Sequence, residues 1–442
     1  MRIRFAVVAL LLTVSSISHG QAVPAGTPSM APVNSGINLN PLDGVLHYAL
    51  SASQIIQFGY YGSGAVTSST TLSGDVSYNA KSEVRPFSLL FAGGLLLGNQ
   101  SIQGTNSFWN VAVSQGLITQ HWVFNISDTF SFLPQSPTTG LSGIPGVGDQ
   151  GAFPVQGPGD GPAGGVLSDA GNRYTNTITG TVERQISHNT SISGNGSWSV
   201  LNFLNSGENS GAYNYSDVTG TAAVNRRIDA RSSVSVSAVY STYNYTQNES
   251  SYVPPDFQTK GINVSYQRLL SHAFSMSVSA GPQWISSSDS ALIPSRLNAA
   301  VSATLSYSRG LTNASVGYSH GANGGSGVLP GATSDSVSAS VGHTYGRNWV
   351  ASVSISYSHT TGLTQLTPGV STAPIYEIYD TVYGGGQVTR RINAHLSGFA
   401  SYTLQNQTSN YSLPSQNALN GSSQTFGIGI TWTPRSTRLG QF

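Results

Sequence analysis

The chain has 442 residues; only 8% are charged and 38% hydrophobic, with 51 glycines and a formal net charge of +1. An average soluble domain is about 25% charged and uses that charge to stay apart from its neighbours, so this composition argues against a surface bathed mainly in bulk water. The near-zero net charge excludes the basic footprint of a nucleic-acid binder. The lack of cysteine excludes a lipoprotein anchor, disulfides and thiolate metal sites.

Arg2 and Arg4 precede the apolar run "FAVVALLLTV", and small and polar residues follow to Ala22. That order reads as a signal peptide over residues 1–22, cleaved after Ala22. The run is too short for a bilayer helix, which needs about 20 apolar residues. Residues 23–44, "VPAGTPSMAPVNSGINLNPLDG", read as a flexible periplasmic lead-in. No later stretch has helical spanning length, so a mature chain that crosses a membrane must do so as a closed sheet.

From residue 45 onward the chain alternates. "WVASVSISYS" at 349–358 sets Trp349, Ala351, Val353, Ile355 and Tyr357 against Ser352, Ser354, Ser356 and Ser358. Successive strand side chains point to opposite faces, so each such run is a two-faced strand. Eighteen runs follow this rule: 46–60, 69–80, 84–97, 105–115, 119–132, 175–185, 190–203, 213–226, 232–245, 259–269, 274–286, 296–309, 314–322, 335–345, 349–361, 380–391, 396–408 and 423–434. Sixteen strands is the alternative count, the first run and 314–322 being the weakest. An even number places both ends of the wall on one side.

The second half also repeats. Arg184, Arg226, Arg268, Arg309, Arg347 and Arg390 recur about every 40 residues, each between two alternating runs. Propeller blades have a similar period, but each holds four short strands. Here each period holds two long ones, as tilted membrane strands do. Short turns ("ISHN", "IDAR", "LSHA", "INAH") alternate with longer loops rich in Gly, Pro, Ser and Asn. The expected fold is therefore all-β: an antiparallel up-and-down transmembrane barrel over 45–442, with short periplasmic turns and long extracellular loops. The arginines fall on the apolar parity at the short-turn end, where a guanidinium can snorkel to lipid head groups at the periplasmic interface. Aromatic residues such as Trp198, Tyr240, Trp284, Tyr357 and Trp432 read as interfacial girdles.

The opposite parity carries the lumen: Ser235, Ser237, Ser302, Thr304, Ser306, Ser352, Ser354 and Ser356. Strong ion selection needs rings of like charge, and a wall of small hydroxyls has none. Eighteen-stranded sugar channels guide their solutes along lumen aromatics, yet no aromatic row stands out on the serine parity, where Phe399 is isolated. Little else carries chemistry. His188, His272 and His395 recur as part of the turns and not at metal-ligand spacing. "GGGQ" at 384–387 lies within a strand and is no phosphate loop. Neither enzyme activity nor a cofactor or metal is expected.

The last run, "TFGIGITWTPR", sets Phe426, Ile428, Ile430 and Trp432 on one face. It resembles the C-terminal strand by which bacterial outer-membrane proteins are read by the barrel-insertion machinery. Pro434 and a short tail separate it from Phe442, so either Trp432 or Phe442 fills the role of the recognised aromatic. More broadly, "VNRRIDARSSVSVSAVY" and "VTRRINAHLSGFASY" resemble the repeats of outer-membrane β-barrels of the porin type, nearest to those associated with exopolysaccharide export. The likeness covers about 175–435. It implies a Gram-negative outer-membrane location and a passive, weakly selective pore for hydrophilic solutes, polysaccharide among them, with periplasmic export partners. A non-conducting structural or adhesion barrel that binds partners through its loops is the rival reading. In porins the loop after the fifth strand folds into the lumen. The corresponding stretch here, 133–174, carries Asp149, Asp160, Asp169 and Arg173 as candidate pore-narrowing residues, with an external loop as the equal alternative.

Overall fold

The computed structural model describes residues 45–59, 66–80, 82, 84–98, 105–133, 173–204, 213–246, 254–325, 329–365, 376–410, 420–434 and 437–438. Eighteen long strands form the wall: β1 (Val45–Phe58), β2 (Val66–Asn79), β3 (Phe87–Gly98), β4 (Thr105–Ile118), β5 (Trp122–Leu133), β6 (Arg173–Ser187), β7 (Thr190–Phe203), β8 (Asn214–Arg227), β9 (Ser232–Thr246), β10 (Phe257–Leu269), β11 (Phe274–Ser287), β12 (Arg296–Arg309), β13 (Thr312–Asn323), β14 (Ala332–Tyr345), β15 (Trp349–Gly362), β16 (Ile378–Arg391), β17 (Leu396–Ser409) and β18 (Gly421–Trp432). Each pairs antiparallel with its sequence neighbours, and β1 pairs with β18 from Leu50↔Trp432 to Phe58↔Gln424, which closes the barrel. Closure leaves no wall strand with an unpaired edge. After Pro434 the chain resumes its pairing: β19 (Thr437–Arg438) joins Leu46 and Val45 of β1. The start of β1 and the end of β18 lie at the short-turn end.

The eighteen expected strands are all present, mostly lengthened by one to three residues at an end. Lengthening is what pairing does, because a neighbour's register carries hydrogen bonds past the point where side-chain alternation fades. One lapse interrupts β10 and β11: Ile262 and Asn263 have no partners opposite Gly281 and Pro282, and Pro282 has no N–H to give. The connection after β5 runs over 134–172, so Arg173 belongs to a strand rather than to the loop.

The short turns are built alike. Asp229 Oδ1 accepts the Arg231 N–H at 2.6 Å, Ser271 Oγ accepts the N–H groups of Ala273 and Phe274 at 3.1 Å, and Asn393 Oδ1 accepts those of His395 and Leu396 at 2.8 and 2.9 Å. A short polar side chain in second place satisfies turn amides that the sheet cannot. This is the physical content of the repeat "IDAR", "LSHA", "INAH", and it leaves His272 and His395 as turn residues.

Outward and inward faces separate cleanly. Leu50, Leu72, Val264, Leu297, Val353, Ile355 and Ile428 stand exposed on the outside, while Ser53, Thr71, Ser241, Thr259, Ser354, Gln407 and Thr431 are buried on the inside. A water-soluble barrel would reverse this, because burial favours apolar surface.

Candidate functional site: the inner wall and the long-loop mouth

The inner wall is concave, and small side chains on facing strands therefore crowd together. Directly opposed Cβ atoms sit about 5 Å apart, near enough for hydroxyls to pair. Ser279 and Ser302 share a hydrogen bond at 3.0 Å, Ser315 and Ser340 at 2.7 Å, Ser319 and Ser336 at 2.6 Å, and Ser51 and Thr431 at 3.2 Å. Thr219 donates to Ser241 at 2.9 Å and Thr381 to Gln407 at 2.9 Å. The polar face thus satisfies part of itself, while the buried hydroxyls of Thr71, Ser73 and Ser354 have no protein partner. All eight hydroxyl residues singled out in the sequence stand on inward files: Ser235 and Ser237 on β9, Ser302, Thr304 and Ser306 on β12, and Ser352, Ser354 and Ser356 on β15.

Charge is sparse on this wall. Among the described residues the inward acids are Asp75, Glu183 and Asp217, which lie on separate strands, and Glu377 at the mouth. Asp217 accepts a hydrogen bond from Ser199, and Glu377 one from Tyr379. Arg173 opens β6 at the long-loop end. Arg296 opens β12, donating to Thr333 Oγ1 at 2.9 Å with its guanidinium 6.0 Å from the Tyr376 ring. These groups form no ring of one sign. Asp149, Asp160 and Asp169 lie outside the described residues, so only Arg173 of the four candidate narrowing residues has a described position.

Phe399 is not the isolated inward aromatic that the sequence suggested. Phe108, Phe203, Tyr215, Tyr243, Tyr245, Phe257, Tyr379, Tyr383 and Phe399 are all buried on inward files. The signal was present in the parity itself, since Tyr243 and Tyr245 continue the file of Ser235, Ser237 and Ser241. Most of these rings close part of the long-loop mouth. Tyr243 and Phe257 stack at 4.5 Å between centroids, and Leu201, Phe203, Ile285, Ile293, Ala322 and Leu363 join them in one cluster. Ile293 comes from the β11–β12 connection, which folds inward. Its shape is held by Ile293 N–H to Asp289 O at 3.0 Å and by Gln365 N–H to Leu292 O at 3.0 Å. The β13–β14 connection is tied in by the Tyr245 hydroxyl, which donates to Gly324 O at 2.8 Å. Gly331 has φ +75°, and a Cβ there would lie 2.7 Å from Phe257 and 2.9 Å from Leu363, so the close approach admits only glycine.

The outer face has two rims. At the short-turn end, Arg184 lies over Trp122 and Arg390 over Trp349, each 5.1 Å from the ring centroid. Arg226, Arg268 and Arg309 occupy the same outward parity near the ends of β8, β10 and β12, while Arg347 sits in the β14–β15 turn. Phe426, Ile428, Ile430 and Trp432 are exposed on the outward file of β18, with Tyr48 edge-on to Trp432 at 6.2 Å; Phe442 lies outside the described residues. Trp284 stands toward the long-loop rim. Trp198, Tyr240 and Tyr357 each stand ninth in their strands on the outward face, nearer mid-strand than the rim.

At the long-loop rim the register aligns His320, Asp335, His359 and Asp380 across β13–β16. His320 Nδ1 meets Asp335 at 2.8 Å and His359 Nδ1 meets Asp380 at 2.8 Å. Tyr318 and Tyr357 donate to the same two carboxylates at 2.9 and 2.6 Å. Reading the sequence for chemistry missed this row, although "YSH" occurs twice, at 318–320 and 357–359.

No family model matches the chain, and no curated protein matches it. Solved barrels do align along most of its length. OccK2 (OpdF) of Pseudomonas aeruginosa, in complex with glucuronate, is 11% identical over 88% of this chain and 98% of its own, with a TM-score of 0.43. OpdK of Pseudomonas aeruginosa, with vanillate, is 9% identical over 89% and 99%, with a TM-score of 0.43. The siderophore receptor PirA from Acinetobacter baumannii is 8% identical over 89% and 81%, with a TM-score of 0.40. Likenesses this distant assign neither a family nor a solute to the chain.

Proposed function

We propose that the chain is an outer-membrane barrel of a Gram-negative bacterium and forms a passive, weakly selective passage for neutral hydrophilic solutes. One observation carries this reading: a closed wall whose exposed outer face is aliphatic and whose inner face is rich in hydroxyls, many of them paired. Only hydrocarbon solvates such an exterior without penalty. An interior with no ring of like charge offers water and uncharged polar groups an even surface. Polysaccharide on its way out is a solute of this class, and the repeat resemblance favours it. The C-terminal strand would engage the barrel-assembly machinery, and residues 1–22 would direct export. Planar-bilayer recording tests the pore: the reconstituted barrel should conduct, with a reversal potential near zero in a salt gradient. A barrel that migrates heat-modifiably on gels yet never conducts, even with its inward loops shortened, would refute it.

A second reading has its own observation. The aromatic cluster at the long-loop mouth packs like a core, as suits a closed barrel that meets partners through its loops. Loop deletions would then abolish partner binding and leave permeability unchanged.

A further inference from the structure

A groove of about 1160 Å3 crosses the outer face between β4 and β9. Its floor follows one row of the register: Gln115, Ile126, Gly180, Gly196, Gly220 and Tyr240 stand side by side across six strands. The floor is deep because three adjacent outward positions are glycine. No fold requirement explains them. None has positive φ, and a Cβ at Gly180, Gly196 or Gly220 would meet nothing within 4 Å. Phe124, Ile126, Val182 and Tyr240 make the walls apolar, and no acid lines the groove.

The groove is oblique. Gln115 lies three residues from the short-turn end of β4 at Ile118, whereas Tyr240 lies eight residues from that of β9 at Ser232. Five residues at about 3.4 Å each are about 17 Å along the strand. In strands tilted by roughly 40° that is about 13 Å of depth, close to the ~15 Å of one leaflet's hydrocarbon. Its lower end is cationic. Arg85 lines it there, and Arg184 and Arg226 flank it on the outward files of β6 and β8.

We propose that this groove holds one acyl chain of a glycerophospholipid, with the lipid phosphate paired to Arg85. The inference rests on the outer-membrane reading. It goes beyond ordinary lipid contact because length, slope and charge each match one amphiphile: an anionic head at the short-turn level and a chain reaching to mid-membrane. Arginine suits phosphate by its forked donors. The short-turn side faces the leaflet of simple phospholipids, so the glycolipid leaflet on the other side is not the source.

Native mass spectrometry tests it on the full barrel, purified from nanodiscs of phosphatidylethanolamine and phosphatidylglycerol into mild detergent. Wild type should keep phospholipid. Gly196→Leu with Gly220→Leu should keep at least tenfold less, Gly196→Ala with Gly220→Ala an intermediate amount, and Arg85→Glu at least tenfold less. Gly384→Leu, on the far wall, should match wild type. Equal retention in wild type and the leucine pair would overturn the proposal while leaving the barrel reading intact. A wild-type dimer that filling dissociates would also overturn it, in favour of a second copy as occupant. A wild type that stays dissolved without detergent and shows no heat-modifiable migration would remove the membrane reading, and the groove with it.

Discussion

Ile355 and Leu297 are both strongly exposed, at 56% and 64%, but they stand at different heights. Ile355 is the seventh of the fourteen residues of β15, and Leu297 is the second residue of β12, at the long-loop rim. If water bathed the outer face, replacing either by arginine would change stability by about 0.5 kcal/mol or less. If hydrocarbon bathes it, Ile355→Arg should cost about 2–4 kcal/mol and Leu297→Arg about 0–1 kcal/mol. The first cost lowers the folding constant roughly 30- to 1,000-fold. Denaturant titration of folding into phospholipid vesicles, read by tryptophan fluorescence and gel shift, measures both. Neither residue touches the inner wall, so conductance of the folded fraction should be unchanged. Equal and small costs at the two sites would refute the assignment of the outer face to lipid.

Three further outcomes follow from the geometry. Ser315→Ala removes the 2.7 Å bond to Ser340 and should cost about 0.5–1.5 kcal/mol in the same titration; no loss would show that wall hydroxyls are not paired. Ile293→Asp puts a carboxylate among the Tyr243, Tyr245 and Phe257 rings, where an unpaired charge is costly, so the β11–β12 connection should leave the mouth and single-channel conductance should rise. Unchanged conductance would mean that this cluster does not limit the passage. Hydrogen bonds from the Ser232 hydroxyl and then the Arg231 amide hold the Asp229 carboxyl below its usual range. Its stabilisation of the turn is therefore present above about pH 4 and lost as pH falls further. Amide shifts of Arg231 and Ser232 should move in that acid arm, whereas those of His395 and Leu396, bonded to uncharged Asn393, should not.

The wall was legible because alternation is a one-dimensional signal: a side chain's face depends only on its parity. The eighteen strands, the short turns and the inward hydroxyl files all follow from it. The mouth was less legible. Ile293 reaches the Tyr243–Phe257 stack from a connection with no alternation to read, and its place depends on a backbone bond between Leu292 and Gln365. The row of His320, Asp335, His359 and Asp380 needs the register of four strands before it exists at all. The glycine row at 180, 196 and 220 is similar: each glycine is unremarkable in its own strand and becomes a groove only through pairing.

The low charge and the abundance of serine have a common cause. On the outside, hydrocarbon disfavours charge except at the rims, which is where Arg184 and Arg390 lie over Trp122 and Trp349. On the inside, concavity crowds opposing Cβ atoms, so a long charged side chain must leave the wall for the lumen or be buried. Asp217, bonded to Ser199, takes the second course. Serine fits both limits. It is small enough for the crowded face, and each hydroxyl both donates and accepts, so neighbours such as Ser315 and Ser340 satisfy each other. A wall that spends many of its polar groups on itself, and carries little charge, presents little directional demand to what passes. That is the physical ground for expecting weak selection, and it predicts where selectivity would have to be added: at the mouth, where Arg173, Arg296 and Glu377 already stand among the rings.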